Sequence, residues 1–339
     1  MPMKSASVIV EPDVHHAGGH QGIGGPTIKL WRMQRYFPDT PTGYNIIYSV
    51  SGRISADVCR KAQRRGVKVV CHVNSVFHPA YRPNYEQLNA PIAAIHALAD
   101  HVVYGSPAAE EGARRYLGSE PDSHSIIYNA VDPVHFHPSP TPTAPDRFHV
   151  LAIGVHYIRH RLEPLIWAMP HVRKHYPQAR LIIAGPLQAG EGIFNCGMET
   201  IKQILRDAKV TAVDFIPRYT QQEAPRIYAQ GDVLVHLKHM DWTPNTVIEG
   251  MACGLPTVHT GNGGMTDLVG EAGVSLGLPS DWDKIHTPKP ALLADRIIEA
   301  YEQRGSLGKR AQTIAEQRYN MYNWVKTHKH LFRDLLGTP

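Results

Sequence analysis

Short apolar, β-branched runs alternate along the chain with stretches whose apolar residues recur every three or four positions, and midway the alternation starts again. In the first half this predicts strands at 7–10, 45–50, 68–73, 101–104 and 125–128, with helices at 24–36, 55–65, 85–99 and 107–117. In the second half it predicts strands at 148–153, 180–184, 210–216, 232–237 and 255–259, with helices at 162–172, 199–208, 223–230, 244–253 and 292–301. Buried strands joined by crossover helices mean a parallel sheet covered on both faces. Between the halves, Pro133, Pro138, Pro140, Pro142 and Pro145 crowd a stretch that neither a helix nor a central strand could hold. The expected organisation is therefore an α/β domain over 1–132, a linker over 133–146, a second α/β domain over 147–316 and a closing helical segment over 317–339.

Composition agrees with two folded domains. A chain of 339 residues with 42% apolar positions can fill two cores, and its 19% charged residues form no run that would favour disorder. The 35 basic against 30 acidic residues leave a mild positive surplus, suited to anionic small molecules or a lipid surface. No basic stripe points to nucleic acid. Cys59, Cys71, Cys196 and Cys253 lie far apart and form no Cys-x-x-Cys pair, so reduced thiols and a cytoplasmic location are expected. No apolar run reaches the roughly 18–20 residues that span a bilayer. The basic helix around Arg60, Lys61, Arg64 and Arg65 reads as a hydrated face or as a peripheral contact with anionic lipid. The histidines are scattered, with no His-Glu-x-x-His or Cys/His cluster, so no metal site is expected.

Ligands of open α/β sheets bind beyond the carboxyl ends of the strands, where helix N-termini point. The most informative such turn is Asp241-Trp242-Thr243-Pro244-Asn245-Thr246. Thr243 suits an N-cap and Pro244 the first helical position, which frees the amides of Asn245 and Thr246 for a phosphate. Glu249 lies nearly two turns further on, where a carboxylate could accept both hydroxyls of a ribose. The plainer reading is a solvated helix start and a surface glutamate.

Several motifs change that balance together. Asp241 to Glu249 continues as Gly250-Met251-Ala252-Cys253-Gly254-Leu255-Pro256-Thr257, then Gly263-Gly264-Met265-Thr266-Asp267-Leu268-Val269. Before it come Ala99-Asp100-His101-Val102-Val103-Tyr104-Gly105-Ser106, then Ile127-Tyr128-Asn129-Ala130-Val131-Asp132, and Leu181-Ile182-Ile183-Ala184-Gly185. In this order and over nearly the whole chain, they resemble glycosyltransferase family 4 and its Glu-x7-Glu region. The resemblance implies a GT-B architecture, two Rossmann-like domains with parallel sheets facing across a cleft. It implies retaining, metal-independent transfer of a sugar from a nucleotide diphosphate-sugar, which is a co-substrate, with no cofactor. By that resemblance Glu249 holds the donor ribose and Asp241 stands near the sugar hydroxyls as a catalytic group. Pro244, Asn245 and Thr246 hold the diphosphate, Gly185 lines the donor site and Arg218 borders the base. The closing Tyr319 to Leu336 resembles the helix that crosses back onto the first domain.

Three positions depart from the family pattern. An arginine and a lysine usual after the first strand of the second domain are here Val155 and His160; Arg159 and Arg161 could substitute by reaching the phosphates, and His160 could donate too. Aspartate at 241 is also one methylene shorter than glutamate. In the first half, the glycine-rich run ending in Gly24 and Gly25 permits close ligand approach to backbone amides. No acidic residue follows Ser49-Val50-Ser51, and there is no Walker A loop, so neither an NAD site nor a P-loop is expected. Asn74 stands where the family often carries a histidine near the transferred sugar, as a second catalytic candidate. His78, His15, His16, Ser106 and Asn129 are candidates for the acceptor side. Trp31 and Trp167 fall in helices and are expected to pack within the fold. The partners expected are a nucleotide-sugar donor and a carbohydrate, lipid-linked or small-molecule acceptor. The alternatives are a non-catalytic nucleotide-sugar-binding protein and a nucleotide-sugar epimerase or hydrolase on the same fold.

Overall fold

A computed structural model describes residues 10–18, 25–139 and 146–337. Two units emerge, one formed by the chain up to Asn129 together with the stretch from Met321 onward, the other by Ala130–Asn320. The first unit runs β1 (Val14–His15), α1 (Gly25–Gln34), β2 (Ile46–Val50), α2 (Ala56–Gln63), β3 (Lys68–Val73), α3 (Tyr85–His96), β4 (His101–Tyr104), α4 (Pro107–Tyr116) and β5 (His124–Ile126). Its sheet is parallel, in the order β1-β2-β3-β4-β5. The helix α4 starts as its sequence dictates, with the Ser106 hydroxyl accepting from the Ala109 amide at 3.2 Å and Pro107 in the first turn. The strand expected at 7–10 falls mostly outside the described residues, and Val10 is exposed and in no strand. Among the described residues the edge is Val14–His15, pinned where Asn45 accepts from the Asp13 amide at 2.9 Å and returns its own amide to Asp13 O at 3.0 Å.

The last helix, α12 (Met321–Leu335), belongs to this first unit. Trp324, His328 and Phe332 recur at four-residue spacing and are buried, with Phe332 edge-on to Phe37 at 5.2 Å and to Tyr48 at 5.9 Å. A buried polar chain accompanies this packing. His328 Nδ1 meets the Trp324 carbonyl at 2.9 Å, and because a carbonyl only accepts, that nitrogen carries the proton. His328 Nε2 must then accept from the Tyr48 hydroxyl at 3.0 Å. The Tyr48 oxygen in turn accepts from His72 Nδ1 at 2.6 Å, and His72 Nε2 accepts from the Lys29 amine. Every proton in the chain is thus assigned by its far end, and both histidines are neutral. Burial first, then the Lys29 charge, depresses His72 well below the ordinary imidazole range, and burial lowers His328 to about 3.

The second unit runs β6 (His149–Ile153), α5 (Glu163–His175), β7 (Arg180–Ala184), α6 (Met198–Asp207), β8 (Val213–Ile216), α7 (Ala224–Tyr228), β9 (Val233–His236), α8 (Asn245–Ala252), β10 (Thr257–His259), α9 (Met265–Val269), β11 (Gly273–Ser275), α10 (Pro290–Glu302) and α11 (Arg304–Arg318). The parallel sheet has the order β11-β10-β9-β6-β7-β8. Its middle strands are buried on both faces, as the unbroken runs Val150–Ile153 and Val233–His236 require. The expected Leu162, Leu165, Ile166, Met169 and Val172 stripe of α5 faces Val150, Leu181 and Ile297 in the core. Trp167 points the other way, at 38% exposure, so the packing expected for it is not what the fold gives.

Candidate functional site

In this sheet β6 lies between β7 and β9, and the chain winds outward from it in both directions. Such a reversal marks the carboxyl ends of β6 and β9 as the place where open α/β sheets take ligands. β6 is followed directly by Gly154 and β7 by Gly185, with φ of +128° and +108°. A Cβ on Gly185 would lie 2.0 Å from the Gly154 carbonyl oxygen, so the glycine at 185 is required by backbone packing on the neighbouring turn. A Cβ on Gly154 would meet Thr246 Cγ2 at 3.5 Å and Arg161 Nη2 at 3.6 Å. The end of β6, the first turn of α8 and the Arg161 guanidinium therefore meet at one point.

Arg161 lies on a single 3-10 turn, Arg159–Arg161, that leads into α5. Its Nη1 donates to the Val155 carbonyl at 2.8 Å, and its buried Nε has no partner among the described residues. No carboxylate lies within ion-pair distance of it there. Arg159 is different: it pairs with Glu163 at 3.1 Å, and its side chain is 41% exposed. His160 between them is buried, and neither ring nitrogen has a hydrogen-bond partner among the described residues.

Helix α8 begins one residue later than its sequence predicts. Pro244 has extended backbone and its carbonyl already accepts from Val247 at 3.1 Å, so Pro244 and not Thr243 is the N-cap. The cause is tertiary. Thr243 is buried in a loop held down by Asn262, which accepts from the Met240 amide at 2.9 Å, and by Gly264, which donates to the Asp241 carbonyl at 2.8 Å. Asn245 and Thr246 still occupy the first turn, whose amides lack intrahelical acceptors. Glu249 is 1% exposed, and so is not the surface glutamate of the plainer reading. The Tyr228 hydroxyl stands 2.9 Å from its Oε2 and 3.0 Å from the Thr246 carbonyl, bracing the carboxylate against the first turn. Tyr219, next to the exposed Arg218, is near enough to both Glu249 and Arg161 to sense their charges. Nothing in the spacing of the sequence singles out Tyr219 or Tyr228, which come from the loop after β8 and from α7.

Asp241 is 7% exposed, and both of its oxygens are engaged. One oxygen accepts from Lys238 Nζ at 2.8 Å and from the Trp242 amide at 3.0 Å, the other from His236 Nε2 at 2.8 Å. Burial alone would raise its pKa, but the Lys238 charge and the His236 hydrogen bond outweigh burial and hold it ionised far below the usual carboxylate range. His236 is the last residue of β9, and Lys238 follows directly. Sequence reasoning passed over both. His156 donates from Nε2 to the Ala184 carbonyl at 3.0 Å, leaving Nδ1 without a partner, and burial followed by the Arg161 charge lowers it to about 3. Among the described residues no group of three or more His, Cys, Asp or Glu side chains is arranged to hold a metal ion.

The candidates of the first half are spread through their own unit. Gly25 and Asn74 come together, since a Cβ on Gly25 would lie 3.5 Å from Asn74 Nδ2. Gly24 lies outside the described residues. His15 meets Asp39 at 3.0 Å and stacks on Tyr44, while His16 is buried with Nε2 on the Phe37 carbonyl at 2.9 Å. His78 is buried at the head of the turn before α3, and Asn129 is buried where the unit ends. The Ser106 hydroxyl is taken up by its helix cap.

Comparison with known proteins fits this geometry. Residues 9–135 match the family described as Glycosyltransferase Family 4, and residues 147–303 match Glycosyl transferases group 1. The gpi3 subunit of phosphatidylinositol N-acetylglucosaminyltransferase from Schizosaccharomyces pombe is 22% identical over 228 residues, 67% of this chain and 46% of that protein. One subunit of the human enzyme of the same name is 23% identical over 181 residues, 53% of this chain and 36% of that protein. The chain thus spans less than half the length of these curated relatives. Among solved structures, a sucrose-phosphate synthase from Thermosynechococcus elongatus has a TM-score of 0.71 at 21% identity, covering 88% of this chain and 75% of its own. HepE of Anabaena, solved in complex with UDP, has a TM-score of 0.70 at 19% identity, covering 86% and 79%. Both likenesses establish a fold of the GT-B type.

Proposed function

The chain belongs to the family 4 glycosyltransferases, and we propose that it moves a sugar from a nucleotide diphosphate-sugar to an acceptor hydroxyl with retention of configuration. The observation that carries this reading is Arg161, a half-buried cation with no carboxylate in ion-pair reach among the described residues, set against the first turn of α8 at the sheet's switch point. In transfer, the bond between the anomeric carbon and the diphosphate oxygen breaks, and a bond to the acceptor oxygen forms. The acceptor's proton leaves with the nucleotide diphosphate or to solvent. Negative charge grows on the leaving diphosphate, and Arg161 with the α8 amides offsets it as it develops. Glu249 accepts the ribose hydroxyls, with Tyr228 setting its orientation. Asp241, engaged by three donors of the protein, anchors Lys238 beside the leaving group rather than receiving the sugar directly.

The relatives' names direct the choice of donor and acceptor. We take UDP-N-acetylglucosamine as the donor to test first and a phosphatidylinositol-type headgroup as the first acceptor. No helix among the described residues is long and apolar enough to cross a membrane. The exposed Arg60, Lys61, Arg64 and Arg65 at α2 supply a face on which anionic lipid can dock. The engagement of Asp241 favours one other reading, a protein that binds the nucleotide-sugar without turning it over. NMR-monitored incubation with a panel of nucleotide-sugars, preceded by thermal-shift screening, separates the two. Stabilisation with slow release of nucleotide and free sugar is the expected result. Stabilisation without turnover, even with lipid acceptor present, would favour the binding protein, and no stabilisation by any of the panel would overturn both.

A further inference from the structure

His160 is 9% exposed, and neither of its ring nitrogens has a partner among the described residues. A buried imidazole has one proton to donate and one lone pair to fill, and interiors rarely leave both unmet. The charged groups around it nearly cancel. On its own turn and the helix that follows, Arg159 is neutralised by Glu163 at 3.1 Å. In the loop after β9, Lys238 is neutralised by Asp241 at 2.8 Å, and His239 meets the Asp281 carbonyl at 2.8 Å. The adjoining 3-10 turn, Gly192–Phe194, brings no ionisable group. One positive charge remains over, that of Arg161.

Resting on the donor reading above, we infer that His160 is a proton-dependent ligand of the donor diphosphate. One ring nitrogen donates to a phosphate oxygen while the other takes a proton from solvent, so the imidazolium joins Arg161 as the second cation of the bound site. In the free protein, burial first and then the Arg161 charge keep His160 neutral, with a pKa lowered to about 3. That state avoids two adjacent buried cations with no anion between them. A diphosphate cancels the Arg161 charge and supplies the missing partner, so the same forces change sign. A lysine at this position would carry its charge in both states, whereas histidine carries it only when the anion is present.

The direction of the pH effect follows. The bound imidazole holds its proton more tightly than the free one, so binding takes up a proton at any pH between the two values. Affinity then rises as pH falls below the bound value and is flat above it. A rise of roughly three units on binding gives about a tenfold gain in affinity between pH 7 and pH 5. The test is calorimetric titration of the full chain with UDP-N-acetylglucosamine at pH 7, 6 and 5, in pairs of buffers of different ionisation enthalpy. The diphosphate of this probe is esterified at both ends and does not titrate in that range, so proton uptake belongs to the protein. Wild type should gain about tenfold and take up a fraction of a proton that grows toward pH 5. His160→Gln should bind with no pH slope, and His160→Lys should bind at pH 7 at least as well as wild type, again with no slope. Binding by wild type without proton uptake, or an unchanged slope in His160→Gln, overturns the inference and leaves the donor reading standing. Absence of binding by wild type at every pH overturns both.

Discussion

The two units each bury a polar cluster around neutral histidines, and the clusters are finished differently. In the N-terminal unit the chain Lys29–His72–Tyr48–His328 ends on the Trp324 carbonyl, and each histidine in it is bonded at both ring nitrogens. In the C-terminal unit, among the described residues, His156 has one ring nitrogen without a partner and His160 has two, beside an arginine with no carboxylate in ion-pair reach. A polar network closed on itself rigidifies a fold, whereas one left open in the interior keeps its hydrogen-bonding capacity for something else. Electrostatics point the same way. Burying a guanidinium without a carboxylate is unfavourable unless an anion arrives, and at this switch point the first turn of α8 lies beside the same guanidinium.

That contrast predicts which substitutions harm activity and which harm only stability. The largest effect should come from Arg161→Met, with turnover of donor falling about 10²–10³-fold, the loss typical of removing one preorganised charge-stabilising donor. The urea midpoint of the variant should hardly move, and an equal loss of stability would mean that Arg161 is structural. Next, Tyr48→Phe strips the hydroxyl that both His72 and His328 use. It should destabilise the N-terminal unit by about 2–3 kcal/mol in urea unfolding, with donor affinity unchanged. A fall in donor affinity instead would blur the division between the clusters. Glu249→Gln keeps the shape of the side chain but removes its charge, and should weaken nucleotide-sugar binding by about tenfold to fiftyfold, from the loss of charge-assisted hydrogen bonds.

Acid should act on both units. His328 and His156, lowered to about 3, and His96 and His259, lowered to about 4, are neutral when folded but titrate near the ordinary value of about 6.5 when unfolded. Their contribution is therefore fully present above about pH 6.5 and is lost as pH falls toward the folded values, by up to about 1.4 kcal/mol per pH unit for each. Urea midpoints of the free protein should fall steadily from pH 7 to pH 5, and a flat profile would show these rings to be solvated. The smallest effect belongs to Arg159→Met. Its pairing with Glu163 is surface-exposed and worth about 0.2–1 kcal/mol, so donor turnover should stay near wild type.

Much of this was legible in the sequence, and the exceptions have physical causes. β3, β4 and β7 lie where β-branched runs place them, because buried parallel strands leave little choice of boundary. The Asp241-to-Glu249 turn was visible as a helix start, but its cap was misplaced by one residue. Local rules favour threonine before proline, while contacts from Asn262 and Gly264 hold the preceding loop in place. The strand expected at 7–10 falls mostly outside the described residues, and the short strand Val14–His15 was not foreseen because the pairing of Asp13 with Asn45 that fixes it is a tertiary contact. His236, Lys238, Tyr219 and Tyr228 were invisible for another reason. His236 reaches Asp241 from the end of a strand, and Lys238 from three residues earlier in the same irregular loop. Tyr219 and Tyr228 approach Glu249 from the loop after β8 and from α7, and no helix or strand periodicity records that convergence. Arg159 and Arg161 were equivalent as letters, and only the Glu163 partner tells them apart.

The central claim is that the nucleotide-sugar sits on the open cluster of the C-terminal unit. Hydrogen exchange measured by mass spectrometry, with and without saturating UDP-N-acetylglucosamine, tests it most directly. The account predicts that the largest protection falls on the turn at 154–161 and on the segment 238–249. Protection greatest around Lys29, Tyr48 and His72, or no protection anywhere, would contradict it.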